Sequence, residues 1–328
     1  MKAKYLMFAT LAIGLAACGN DDENKVNNGP VEAQINAGVS GPLSRAMNDT
    51  WEADAIGVIA KSVEGTTEGV ESQMANLYKN VKYTTTATTN IAANFSAEIG
   101  KGIFFQDAKE IVTFAAYAPY QTSSANNVLP GTSADGIITG STEAQSSRDS
   151  QKAFDYIYAS GATASRQDCK VEFKESNAFV HKMTRLVIIV KTSADFGFTA
   201  AQVTGGTYKL SGLNHSGQFD VTKGEAKATG TTTTSDWSLT DKSLKTTGET
   251  TQCTFTSILY PQTLGAALTF TAEIGGQTYT NSTDINPELS AGQSYEYTIT
   301  AKKTGLTVSG CTIKAWNPNT NVGGDATM

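Results

Sequence analysis

Histidine is nearly missing from this chain of 328 residues, which contains only His181 and His215. A zinc centre or a Ser-His-Asp hydrolase site needs imidazole beside Cys, Asp or Glu at ligand spacing, and neither histidine has such a neighbour in sequence. His181 therefore reads as a residue at a strand entrance. Phosphate-loop chemistry is also unsupported: Gly205-Gly206-Thr207 lacks the Lys-Ser/Thr ending, and no G-x-G-x-x-G opens a helix. Asp149 and Asp155 sit in no calcium-loop pattern and read as solvated carboxylates. Basic residues are few, 25 Lys and Arg against 31 Asp and Glu. Phosphate backbones need concentrated positive charge, so nucleic acid is not an expected partner. No enzyme activity, metal or cofactor is expected.

Cysteine is scarce too, with four residues: Cys18, Cys169, Cys253 and Cys311. The first closes an N-terminal run in which Lys2 and Lys4 precede almost wholly apolar residues 5–16. That run is shorter than the roughly 20 residues a membrane-spanning helix needs, so it reads as a secretory leader. Leu15-Ala16-Ala17-Cys18 resembles a bacterial lipobox, whose cysteine becomes the acylated first residue of the mature protein. The acidic Asp21-Asp22-Glu23 that follows resembles an export signal to the outer face of the outer membrane. Without Lys2 and Lys4 the mature chain carries 23 basic and 31 acidic residues, a net charge of −8. With Cys18 acylated, three cysteines remain and at most one disulfide can form. Cys253 with Cys311 is the first pair to test.

Only 17% of residues are charged, while Thr, Ser, Gly and Ala abound and Val, Ile, Tyr and Phe recur in short runs. That composition fits an extracellular β protein long enough for two cores. Val31, Ala33, Ile35, Ala37 and Val39 alternate with polar or small residues, the pattern of a half-buried strand. A second strand starts near Asp54. Ile111 to Ala118 is a strong strand stopped by Pro119, residues 121–150 form a surface loop with one short strand, and Gly161 to Gln167 reads as a linker. Leu186 to Val190 is a β-branched run buried on both faces. Further strands are expected over Gly206–Leu210, Cys253–Leu259, Ala267–Ile274, Gln277–Thr280 and Ser294–Ala301. In the last stretch the alternation changes phase: Leu306 and Val308 share one parity, Cys311, Ile313 and Ala315 the other, with Gly310 at the junction as a bulge site. Short strands between turn signals suggest β-sandwiches with Greek-key connections. Tyr117, Tyr120, Tyr156, Tyr158 and Trp237 are available as carbohydrate platforms, although core and edge packing accounts for them more simply.

Several blocks together resemble the fimbrillin family, the subunits of type V pili. They are Ser44-Arg45-Ala46 with Trp51 and Asp54 to Val58; Val112 to Tyr120; Gln151 to Ala159; Phe179 to Leu186; Leu259-Tyr260-Pro261-Gln262; and Leu289 to Tyr295. Ala118 departs from the second tyrosine often found there. The resemblance implies an all-β fold of two tandem transthyretin-like sandwich domains, delivery as a lipoprotein acylated at Cys18, and cleavage by an Arg-specific protease between Arg45 and Ala46. The implied organisation is a leader over 1–17, a propeptide with a removable first strand over 18–45, an N-terminal domain over 46–168 and a C-terminal domain over 169–328.

Such a cleavage has a physical rationale. It would detach Val31 to Val39 and leave an open sheet edge over an apolar groove, a template for a strand of another chain. The nominated donor is Leu306, Val308, Cys311, Ile313 and Ala315 of a neighbouring subunit. A head-to-tail contact of this kind does not close on itself and propagates a fibre. Expected partners are other copies and related pilins, the protease, and the outer membrane through the lipid before cleavage. The expected location is the cell surface, first as an outer-membrane lipoprotein and then as an extracellular fimbria that supports adhesion or biofilm formation. The rival reading is a surface lipoprotein adhesin that binds glycans or host proteins and does not polymerise.

Overall fold

A computed structural model describes residues 29–40, 50–52, 54–68, 71–88, 90–125, 127–231, 236–240, 242–248, 250–283, 288–316 and 326–327. The N-terminal half runs β1 (Gln34–Gly38), β2 (Ala55–Glu64), α1 (Met74–Leu77), β3 (Val81–Thr84), β4 (Ala92–Phe95), β5 (Ile111–Ala118), β6 (Ile137–Ser141), α2 (Arg148–Lys152), β7 (Ile157–Ser165), β8 (Lys170–Phe173) and β9 (Val180–His181). The C-terminal half begins with β10 (Thr184–Ser193), α3 (Ala200–Thr204), β11 (Thr207–Ser211), β12 (Ser216–Asp220), β13 (Glu225–Ala228), β14 (Trp237–Ser238), β15 (Lys242–Thr247) and β16 (Thr250–Leu259). It continues with β17 (Gln262–Thr263), β18 (Leu268–Ile274), β19 (Gln277–Thr283), β20 (Glu288–Leu289), β21 (Gln293–Lys302), β22 (Gly305–Ala315) and β23 (Ala326–Thr327).

The fold is all-β, as the composition and alternation predict. A sheet in the order β3-β2-β5-β7-β9 faces a smaller one, β4-β1-β8. Between them lies a core that includes Ile35, Ile56, Val58, Phe95, Val112, Phe114 and Phe173. In the C-terminal half the sheet β15-β16-β10-β21-β22-β23 faces β14-β11-β18-β19 across a core with Leu186, Ile188, Phe255, Phe270 and Tyr297. Leu186 to Val190 is buried throughout because β10 is central, antiparallel to β16 and parallel to β21.

A third sheet, β13-β12-β6, joins the halves: β6 of the expected surface loop pairs with β12, Ile138 opposite Phe219. Its core draws Ile59, Ala115, Tyr117 and Tyr158 from the first half and Phe219, Ile258, Tyr260 and Trp316 from the second. This explains why β5 lacks a polar face. Phe114 and Ala116 point into the N-terminal core, while Ala115 and Tyr117 point into the shared one. β12 escaped the pattern because Gly217 alternates with Phe219 where a larger residue is expected. A Cβ at Gly217 would lie 2.2 Å from Cγ of Tyr260, so the tyrosine ring occupies the space a side chain would need.

Three expectations need correcting. Residues 161–167 are no linker, since Gly161 to Ser165 belong to β7, with Ala162 and Ala164 buried against the N-terminal core. Gly161, at φ 92°, is the extra residue of a bulge opposite Phe114 and Ala115, a conformation that glycine adopts at little cost. Cys169, Val171, Phe173 and Phe179, assigned by sequence to the second domain, also lie in the N-terminal core. Cys253 and Cys311 are separate thiols. They sit on β16 and β22 with β10 and β21 between them, three strand spacings or roughly 14 Å apart, beyond the reach of a disulfide. By contrast, Gly310 is the extra residue where Tyr297 faces Cys311 and Thr298 faces Ser309, as the change of phase predicts.

His215 lies at the junction of the halves, with Nδ1 3.2 Å from the Thr142 hydroxyl and its ring 4.6 Å from Trp237. Burial lowers its pKa, partly opposed by Glu143. The unfolded chain takes up a proton near pH 6.5, whereas the folded chain keeps His215 neutral to lower pH. Its contribution is complete above that value and is lost as the pH falls. His215→Gln is expected to flatten the decline of the urea midpoint between about pH 7 and pH 5, measured by intrinsic fluorescence.

Candidate assembly site

The first strand is held from both sides. β1 runs antiparallel to β4, with Ile35 opposite Phe95 and Ala37 opposite Ala93, and parallel to β8, with Ile35 beside Val171 and Ala37 beside Phe173. Backbone bonds extend the grip. Ala33 N–H donates to Ile103 O at 2.8 Å, Gln34 N–H to Cys169 O at 2.8 Å, Val39 N–H to Ile91 O at 3.0 Å and Ser40 N–H to Phe179 O at 2.8 Å. The odd-numbered side chains face the core: Ala33, Ile35, Ala37 and Val39 are 3%, 2%, 0% and 6% exposed, and Val31 is half-buried against the same cluster.

Beneath the strand lies Trp51. Its indole Nε1–H donates to Ala37 O at 2.9 Å, and its ring meets Phe95 and Phe179 edge-on at 4.9 and 5.2 Å. From the sequence alone, removal of residues 31–39 is expected to leave one exposed edge. Because β1 lies between β4 and β8, its loss would instead leave two facing edges and a Trp51 donor without its acceptor, a seam rather than an edge.

Cys18, Arg45 and Ala46 lie outside the described residues. The described chain stops at Ser40 beside β1 and resumes at Thr50 beside Trp51, so the Arg45 stretch connects the seam's occupant to its floor.

The nominated donor residues form β22 in their own C-terminal sheet, hydrogen-bonded to β21 from Gly305 to Ala315. Cys311 is 6% exposed, while Leu306, Val308 and Ile313 are only half-buried against the C-terminal core and Ala315 is half-buried. On its outer side β22 pairs with β23 at Thr312 and Ile313.

At the end of β22 the buried Trp316 stacks on His181, with centroids 4.0 Å apart and planes 8° apart, and Arg185 Cζ lies 5.4 Å from its ring. His181 Nδ1 is 2.9 Å from Asp155 Oδ1. This corrects the reading of Asp155 as solvated: it is 0% exposed, 26 residues from the histidine in sequence but adjacent to it across β7 and β9. The only sequence signal was their separate presence in two family-like blocks. Among the described residues no group of three or more His, Cys, Asp or Glu is placed to hold a metal.

The candidate carbohydrate platforms are mostly interior. Tyr117 is 0% exposed and its hydroxyl donates to Asn80 Oδ1 at 2.8 Å; Trp237 is 9% exposed and its Nε1–H donates to Glu143 O at 2.8 Å. Tyr156 stacks on Phe219 at 4.6 Å and Tyr158 is 4% exposed, leaving only Tyr120 partly open. Burial pushes the Tyr156 and Tyr158 phenols up to about 12. The Tyr260-Pro261-Gln262 block is structural as well: Gln262 accepts from Asn214 N–H at 2.9 Å and donates to Asn214 O at 3.0 Å.

A fimbrillin-like family model matches residues 44–316, the full span from the Arg45 stretch to Trp316. The chain belongs to this family. The fimbrillin-like chain is 31% identical over 333 residues to a proposed fimbrium subunit, Fim1C, of Bacteroides uniformis, an alignment that covers 99% of this chain and 98% of that protein. Its fold resembles that of a proposed cell adhesion protein from Bacteroides ovatus, 25% identical with a TM-score of 0.69 over 88% of this chain and 98% of the other. A second such protein, from Bacteroides uniformis, is 25% identical with a TM-score of 0.61 over 89% and 100% of the two chains.

The anchoring of β1 in this fimbrillin-like fold is directly measurable. Ile35→Ala is expected to lower stability by about 2–5 kcal/mol, the range for emptying a packed core site. Val31→Ala, at a half-buried position, should cost markedly less in the same urea titration.

Proposed function

We propose that the chain is a structural subunit of a surface fimbria that assembles head-to-tail by strand exchange and supports adhesion or biofilm formation. Family membership supports the fimbrial role. The observation that carries the assembly mechanism is the mid-sheet position of β1, whose alternate side chains are buried between β4 and β8 just ahead of the Arg45 stretch.

In this reading the subunit is exported as a lipoprotein through Cys18 and held at the outer membrane. Among the described residues no helix is long and apolar enough to cross a membrane. An Arg-specific protease then cuts between Arg45 and Ala46, which frees residues 18–45 with both lipid and first strand. The remaining subunit has unpaired N–H and C=O groups on β4 and β8 and an uncovered core. A strand from residues 306–315 of the next subunit fills the seam. Its burial is favourable by about 25 cal/mol per Å² of apolar surface, and its backbone satisfies both open edges. The adhesin reading that relied on Tyr117 or Trp237 is weakened, because both rings are buried.

Incubating the full precursor with an Arg-specific protease is expected to produce an Ala46 N-terminus and a ladder of high-mass species. Arg45→Ala should remain full-length and monomeric by native mass spectrometry. Complete cleavage with only monomers remaining would overturn the assembly reading.

A further inference from the structure

We infer a specific register and polarity for the entering strand: Ile313 takes the place of Ile35, and the donor runs parallel to β8, as β1 does. This rests on the strand-exchange reading above and narrows it to particular residues.

The seam accepts a size pattern. Along β1 the core-facing side chains run Val31, Ala33, Ile35, Ala37 and Val39, so a large centre is flanked by two small residues. Within the donor segment, Cys311, Ile313 and Ala315 repeat the small, large, small order at the same spacing of two. Leu306 and Val308 do not, because they place two large side chains in succession. A shift of two residues would put Ala315 or Cys311 into the Ile35 site, leaving a void, and would force Ile313 into space fitted to alanine; core sites resist both changes. The bulge at Gly310 separates the matching part of β22 from Leu306 and Val308, so the distal part can leave β21 without the proximal part following.

Size alone does not choose a direction, since the triplet reads alike both ways. Charge does. With Ile313 at position 35 and the strand parallel to β8, Lys314 occupies the place of Asn36, which is paired with Glu172 on β8 and Asn94 on β4. Thr312 then stands at Gln34, opposite Lys170. In the reverse direction Lys314 would face Lys170 and leave Glu172 opposite Thr312. Opposite charges directly across a sheet stabilise and like charges destabilise.

Lys314 and Glu172 are both exposed in the subunit, and among the described residues Glu172 pairs with the solvent-facing Lys174 at 2.8 Å. The parallel direction also sets Trp316 at the place of Gly38. A Cβ there meets only ordinary contacts, 3.7 Å to Phe173 O and 3.8 Å to Ile91 O, beside the 51% exposed Ile91 side chain.

Cysteine cross-linking tests the arrangement. A full precursor with Asn94→Cys is mixed with one carrying Lys314→Cys, cleaved by an Arg-specific protease and oxidised, and the linked peptides are mapped by mass spectrometry. Directly opposed antiparallel positions have Cα atoms about 4.5–5.5 Å apart, within disulfide range. The expected product joins residues 94 and 314 of different subunits, with little product when Thr312→Cys replaces Lys314→Cys. Equal or stronger linkage through position 312 would overturn the polarity, and linkage of residue 94 to another position would overturn the register. Polymers would still form in both cases, whereas absence of any polymer from the unsubstituted cleaved precursor would sink the strand-exchange reading itself. Should a cysteine variant fold poorly, charge reversal gives a second readout. Lys314→Glu is expected to slow polymer growth about two- to fivefold, the range for a cross-strand ion pair, and Glu172→Lys in the same chain should restore the rate; an unchanged rate, or no restoration, would overturn the pairing.

Discussion

A strand in the middle of a sheet is bonded twice, and β1 shows what that implies. Its backbone satisfies β4 on one side and β8 on the other, and its odd-numbered side chains complete the core above Trp51. Both neighbours depend on it, because a buried backbone group without a partner costs far more than an average hydrogen bond contributes. In sequence the strand is followed by the Arg45 stretch, which leads on to Trp51 beneath it. In the proposed assembly, cutting one peptide bond in that stretch turns the place of a doubly bonded strand into a binding seam.

The second constraint is that β1 and β22 are tied into different cores. β22 completes the C-terminal sheet, yet Trp316 at its end inserts into the core shared by both halves and stacks on His181, which is held by Asp155. The segment proposed as the donor has half-buried side chains along most of its described length and a fully buried aromatic at its end. The mostly half-buried β22, paired with β21 along its length and with β23 over two residues, would give up less apolar contact on leaving than a fully buried central strand does, and a vacant position between β4 and β8 offers neighbours on both sides. In the proposed assembly, the same asymmetry sets a direction.

Much of this was legible in the chain itself. The alternation of Val31 to Val39, the β-branched run at Leu186 to Val190 and the change of phase at Gly310 all correspond to strands or a bulge at those positions, because side-chain period and burial are local consequences of the pleat. The weakly patterned strands were not legible. β12 hides behind Gly217, whose missing side chain makes room for Tyr260, and the second half of β7 looks like a linker because its core residues are alanines. Small residues carry little hydrophobic signal, even where packing requires them to be small.

By itself, then, the sequence determined the class of fold and the alternating segments that form β1 and β22. Only the tertiary structure decided that β1 is central rather than at an edge, that Asp155 is a buried partner of His181, that Cys253 and Cys311 lie three strands apart, and that the aromatic residues are interior. The reason is physical. Periodicity reports which face of a strand avoids water, but neighbours, register and the pairing of distant polar groups depend on how the sheets come together, and that information is spread over residues far apart in the chain.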